Sequence, residues 1–137
     1  MSVKKLTPVM VVDAIEPCLD FWKRLGFAVI AEVPHGDALG FVILGKGGAE
    51  LMYQTKASVA ADVPDIAGAP YAEHTPLFVE VHDVAAVRKA LKGFELIVPE
   101  RKTFYGATET IVRGPAGQVV TFAQFAATGD VGGEGGD

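Results

Sequence analysis

The chain has 137 residues, 50% of them hydrophobic and 21% charged, with a formal net charge of −5. That length supports a real hydrophobic core and the mixture is an ordinary globular one, while the sign of the charge disfavours a partner made of phosphates. No apolar run approaches the roughly 20 residues needed to span a bilayer, and the single cysteine, Cys18, cannot close an internal disulfide, so a cytoplasmic protein with no nucleic-acid and no membrane partner is expected.

Residues 7–12 are β-branched and apolar and read as a first strand. Asp13 with Glu16 three positions on reads as a capping-box-like helix start, and Pro17 suits the first turn. Ile15, Cys18, Leu19, Trp22 and Leu25 then recur at helical spacing, until Gly26 ends the helix. Residues 27–33, 40–44 and 49–54 read as three strands joined by Gly- and Pro-containing turns. Residues 55–76 form a connector with a helical turn near 57–62. A strand at 77–81 follows, then a short helix at 84–91 capped by Asp83 and ended by Gly93. Strands at 94–98, 107–113 and 118–125 complete the second half. Gly114-Pro115-Ala116-Gly117 is the tight turn between the last two strands, with Pro at its second position. The Gly- and acid-rich residues 128–137 are expected to lack fixed structure.

The order of elements therefore repeats. Val9-Met-Val-Val-Asp13-Ala14 lines up with Val79-Glu-Val-His-Asp83-Val84, and Leu25-Gly26-Phe27 with Lys92-Gly93-Phe94. Each half is a β-α-β-β-β module too small to bury its own apolar face. The expected fold class is α+β. Two modules, 6–54 and 77–126, with the connector 55–76 between them, make a single domain over 1–126. They would build one curved mixed sheet, with helices on the convex face and a pocket on the concave face, and 127–137 would be a tail.

This pattern resembles the vicinal oxygen chelate superfamily of glyoxalases, bleomycin-resistance proteins and dioxygenases. The resemblance covers about residues 6–126. It is carried by Val11-Val-Asp13 before Leu19-Asp-Phe-Trp-Lys-Arg-Leu-Gly-Phe27, and by Tyr105-Gly106 with Val112-Arg-Gly-Pro-Ala-Gly117 and Phe122. The superfamily usually has Asp at position 114 and Tyr at position 22, where this chain has Gly114 and Trp22. In metal-dependent members four inward His, Gln or Glu side chains hold a divalent ion. By spacing, those positions fall on Leu6, Glu50, Pro76 and Thr121. Leu and Pro offer no ligating atom and a lone Thr hydroxyl is a poor ligand, so Glu50 alone qualifies, with His74 as a second donor if its strand shifts by two. A catalytic ion needs about three protein ligands, so no metal, no cofactor and no catalytic residue are expected.

Strand alternation then divides the faces. Met10 and Pro8 share the inner face with Leu6; Met52 and Gln54 share it with Glu50; Phe78 and Glu80 with Pro76; Val119 and Ala123 with Thr121. Leu51 and Tyr53 face the helices. Phe104 and Tyr105 stand at a strand start, where the superfamily often rims its pocket. The expected ligand-binding set is thus Met10, Glu50, Met52, His74, Phe78, Glu80, Phe104, Tyr105 and Thr121. Glu109 is expected to pair with Arg113 or Arg101, Cys18 to be an inert buried thiol, Trp22 to be core, and His35 and His82 to be exposed. The resemblance implies a non-enzymatic binder that sequesters a flat or cationic, antibiotic-like molecule, working as a homodimer. The alternative is a metal-dependent glyoxalase- or dioxygenase-type enzyme. Catalysis without metal, by Glu50 or Glu80 as general base, and a concave face filled by protein side chains complete the set.

Overall fold

Two four-stranded sheets carry the fold, one in each half of the chain. The computed structural model describes residues 2–67 and 75–126, and the chain divides into two units between residues 73 and 74. The first unit runs β1 (Val9–Val12), α1 (Glu16–Arg24), β2 (Ala28–His35), β3 (Ala38–Lys46), β4 (Ala49–Thr55) and α2 (Lys56–Asp62), with a 3₁₀ turn at Pro64–Ile66. The second runs β5 (Leu77–Glu80), α3 (Val84–Ala90), β6 (Glu95–Lys102), β7 (Ala107–Arg113) and β8 (Val119–Phe125). Strand order is β1-β4-β3-β2 in one and β5-β8-β7-β6 in the other, each with a single parallel pair, β1 with β4 and β5 with β8. Each unit is thus the β-α-β-β-β module that the repeat implies, and the class is α+β.

Alternation decides what each sheet buries. In the first unit Val42, Leu44, Leu51 and Tyr53 are buried, as are Ile15, Cys18, Phe21 and Trp22 around α1. Burying a side chain of this size fully contributes about 1.5–3 kcal/mol relative to leaving it in water. In the second unit Val112, Val120 and Phe122 share the buried set with Val84, Val87 and Leu91 of the α3 region. Gly26 and Gly93 end their helices with φ of +91° and +100°, a conformation that costs a residue with a Cβ. Asp83 caps α3 as expected, its Oδ1 accepting from the N–H groups of Ala85 and Ala86 at 3.0 and 3.2 Å. The helical turn expected near 57–62 is α2, capped by Thr55, whose hydroxyl accepts from the Ser58 N–H at 3.1 Å.

The start of α1 differs from the expectation. Ile15, not Asp13, holds the N-cap position and makes no side-chain cap bond. Ile15 is fully buried, the Asp13 carboxylate pairs with Lys56 Nζ at 3.3 Å, and the Glu16 carboxylate accepts from the Leu39 N–H at 2.7 Å. Strand β1 differs as well. Its register pairs Val9 with Met52 and Met10 with Tyr53. Met10 therefore shares the helix side with Tyr53, and its assignment to the open face is corrected. The count back from Asp13 to Leu6 is one residue out of step with this register, and a slip of one residue turns every side chain of a strand over. Leu6, taken as the first ligand position, is largely exposed, and Thr7 faces Glu50 in its place.

Candidate functional site

The face of the second sheet that turns away from α3 gathers the chemistry. Cross-strand register sets it row by row. Phe78 of β5 lies beside Thr121 of β8, and Thr121 beside Ile111 of β7. In the next row Glu80 lies beside Ala123, Ala123 beside Glu109, and Glu109 beside Arg101 of β6. Phe125 and Ala107 form the row beyond.

A ribbon of four rings crosses this face. The centroids of Phe78 and Phe125 are 6.5 Å apart, those of Phe125 and Tyr105 6.1 Å, and those of Tyr105 and Phe104 5.0 Å. These rings are not core. Phe78 is 55% exposed, Tyr105 41% and Phe104 fully exposed. Their contacts are tilted or edge-on, so ring faces remain open to a flat partner. Phe125 belongs to this ribbon and was absent from the expected set, although its spacing of four from Thr121 puts it on the same side of the strand.

Beside the ribbon lies a buried carboxylate. Glu109 has no exposed surface. Its Oε1 accepts from Arg101 Nε at 2.9 Å and its Oε2 accepts from the Tyr105 hydroxyl. A buried carboxylate is tolerated only when paired and hydrogen-bonded, and these two partners provide that. Of the two arginines considered from sequence, the partner is Arg101; Arg113 reaches Glu95 Oε1 at 3.1 Å. Glu109 first, and Tyr105 second, raise the Arg101 pKa, so the guanidinium stays charged. Glu80 is exposed at the other end of the row. A negative group and a positive group therefore bound the face on its β5 and β6 sides.

A cleft of about 310 Å³ opens at the end of this sheet, lined by Lys102, Thr108, Gln124 and Phe125 among others. Lys102 Nζ donates to Thr108 Oγ1 at 3.0 Å, and Gln124 Oε1 accepts from the Val84 N–H at 2.9 Å, tying the cleft floor to the start of α3.

In the first unit, Glu50, Met52 and Gln54 alternate with the buried Leu51 and Tyr53, as expected. Glu50 Oε1 accepts from Thr7 Oγ1 at 3.2 Å and from Lys5 Nζ at 2.9 Å. The lysine above all, and the threonine after it, hold this carboxyl below the usual carboxylate range. Gln54 Nε2 donates to Ser58 Oγ at 3.1 Å. His74 lies outside the described residues. Pro76, like His35 and His82, is exposed.

Among the described residues no three His, Cys, Asp or Glu side chains come together as a metal site. The positions that the sequence resemblance singled out for an ion do not fit one: Leu6 and Pro76 have no ligating atom, Thr7, which faces Glu50 in place of Leu6, and Thr121 have only hydroxyls, and Glu50 is already bonded to Lys5 and Thr7. No helix among the described residues is long and apolar enough to cross a membrane.

No protein-family model matches the chain, and no curated protein matches it either. Solved structures do. A glyoxalase/bleomycin resistance protein/dioxygenase from Nocardioides superposes with a TM-score of 0.70 at 19% identity, covering 98% of this chain and 92% of that one. A glyoxalase-related enzyme from Fulvimarina pelagi gives 0.68 at 16% identity, covering 95% and 94%. A bleomycin-binding protein complexed with bleomycin gives 0.60 at 18% identity, covering 90% and 100%. The chain thus has the fold of the glyoxalase/bleomycin resistance/dioxygenase proteins.

Proposed function

We propose that this protein binds a small, flat organic molecule, cationic or neutral, and holds it without changing it. The observation that carries this reading is the ribbon of Phe78, Phe125, Tyr105 and Phe104, exposed across one sheet face with Glu80 at its side. Apolar rings with a few placed polar groups are the usual lining of small-molecule sites, and a cation beside such rings gains from their quadrupoles. That one structural neighbour is a bleomycin-binding protein holding bleomycin supports sequestration as the mode of action. Glu50, Met52, His74 and Thr121 are proposed as further ligand contacts. The protein is proposed to act as a homodimer, which light scattering of the purified protein tests.

The test of binding is thermal unfolding in the presence of bleomycin and of planar aromatic cations. A ligand of the native state raises the midpoint as its concentration rises, and Phe78→Ala together with Tyr105→Ala should abolish the rise. No shift with any such compound sinks the reading. So does one equivalent of divalent ion retained on purification with turnover that chelation abolishes, which would make the protein a metalloenzyme.

A further inference from the structure

If ligands lie on this ribbon, as proposed above, we infer that Tyr105 selects those that carry an N–H or O–H donor at the edge of their ring. A surface phenol ordinarily serves donors and acceptors alike, because its hydrogen rotates to suit. Tyr105 is not free to do so. Its one hydrogen is committed to Glu109 Oε2, and Arg101 Nε occupies the other carboxylate oxygen at 2.9 Å. Glu109 has no exposed surface, so water cannot replace the phenol if its hydrogen turns away. Leaving a buried carboxylate oxygen unpaired costs more than a single surface hydrogen bond returns. The hydrogen stays inward, Arg101, hydrogen-bonded to the phenol as well, takes one lone pair of its oxygen, and the residue, 41% exposed, offers a ligand the other.

A ring bearing an amine or hydroxyl gains one hydrogen bond at this point. A ring whose edge carries only acceptors meets lone pairs with lone pairs and gains none. Glu109 and Arg101 touch no ligand in this scheme; they are positioning residues that fix the polarity of Tyr105.

The test uses four probes of one shape: naphthalene, 2-methoxynaphthalene, 2-naphthol and 2-naphthylamine, titrated calorimetrically into the full-length protein. The naphthol and naphthylamine should bind about three- to tenfold more tightly than the methoxy compound, the effect of one neutral hydrogen bond. Tyr105→Phe keeps the ring and removes the oxygen. It should erase that ratio while leaving naphthalene affinity within about twofold. Glu109→Gln gives the carboxylate site a donor of its own. Arg101 then holds the amide oxygen, the amide N–H meets the phenol oxygen, and the phenol hydrogen turns outward. The preference should then move toward the methoxy compound. A role confined to stability would change all four affinities together and leave the ratio alone. If Glu109→Gln does not fold, the Tyr105→Phe ratio decides. Probes that bind with a ratio unmoved by Tyr105→Phe overturn the inference and leave the binding surface standing. Failure of all four probes to bind overturns the binding surface and the inference with it.

Discussion

Thr7 Oγ1 donates to Glu50 Oε1 at 3.2 Å, and Lys5 Nζ approaches the same oxygen at 2.9 Å. These two contacts tie the residues ahead of β1 to β4, beyond the last backbone pair of the parallel ladder. They also determine how the tie responds to acid. The Glu50 carboxyl is held below its usual range, chiefly by the Lys5 hydrogen bond. A depressed carboxyl stabilises the fold above its unfolded pKa, about 4.3, and loses that contribution as pH falls through the lower folded value. Amide exchange at residues 5–9, corrected for its intrinsic pH dependence, should therefore quicken below about pH 4. In Glu50→Gln it should be quick throughout, with no acid transition. Identical profiles for the two proteins would show that the tie does not form in solution.

Trp22 Nε1 donates to Tyr53 Oη at 2.9 Å, with both residues about 1% exposed. Phe21 and Phe27 meet the Trp22 indole edge-on, with centroids 5.0 and 5.1 Å away, so the indole cannot swing to another acceptor. Tyr53→Phe removes the acceptor and keeps the ring. The buried indole N–H is then orphaned, which costs about 1–3 kcal/mol. The urea midpoint should fall accordingly at constant m-value. A loss well under that range would mean that water reaches the indole.

How far this fold was legible depends on which residues one asks about. Alternation at Leu51 and Tyr53, the Asp83 cap and the glycines at 26 and 93 state their roles locally, and the structure agrees with each. Strand β1 was misread because its faces were counted back from Asp13 to Leu6, one residue out of step with the register that pairs Val9 with Met52. The helix start is a separate case: Asp13 with Glu16 spells a cap, but Ile15 holds the N-cap position and is fully buried. Nothing in a single sequence ranks a cap bond against a buried isoleucine. Of the aromatic face proposed as the site, Phe78, Phe104 and Tyr105 are expected from alternation and loop position. Phe125 was missed because it closes a strand, where the pattern has no next residue to confirm it. The choice of Arg101 over Arg113 for Glu109 depends on the β6–β7 register, which has two irregularities that sequence does not reveal.

Cys18 gives a prediction about reactivity. It lies on the buried face of α1, and burial first, with the Glu16 charge second, pushes the thiol up to about 11. An ordinary thiol titrates near 8.5. At pH 8 the native protein should react with a thiol reagent more than about 100-fold more slowly than the urea-unfolded chain, since only thiolate reacts. The linkage has a definite sign. A folded pKa above the unfolded one leaves stability intact below about 8.5 and erodes it as pH rises from there through about 11. Cys18→Ala should lose that share of the alkaline decline. Rapid labelling of the native thiol at pH 8 would contradict the burial.

The turn between β7 and β8 offers a way to raise stability. Pro115 and Ala116 occupy its two central positions, and the Gly117 N–H donates to the Gly114 carbonyl at 3.3 Å. Ala116 has φ of +57°, and Gly117 follows at +80°. A Cβ in the left-handed region crowds the following carbonyl and costs roughly 1–2 kcal/mol. Glycine removes that cost and adds about 0.5–1 kcal/mol of unfolded-chain entropy to be lost on folding. Ala116→Gly should therefore stabilise the protein by about 0.5–1 kcal/mol, read as a higher urea midpoint, while Gly117→Ala should destabilise it by a similar amount or more. The same turn sets the pairing of Arg113 with Val119, and through it that of Glu109 with Ala123 and Ala107 with Phe125. A stabilised turn should thus leave the affinity of the aromatic face for naphthalene unchanged. An Ala116→Gly protein that is less stable than its parent would show that the left-handed turn is not the one held in solution.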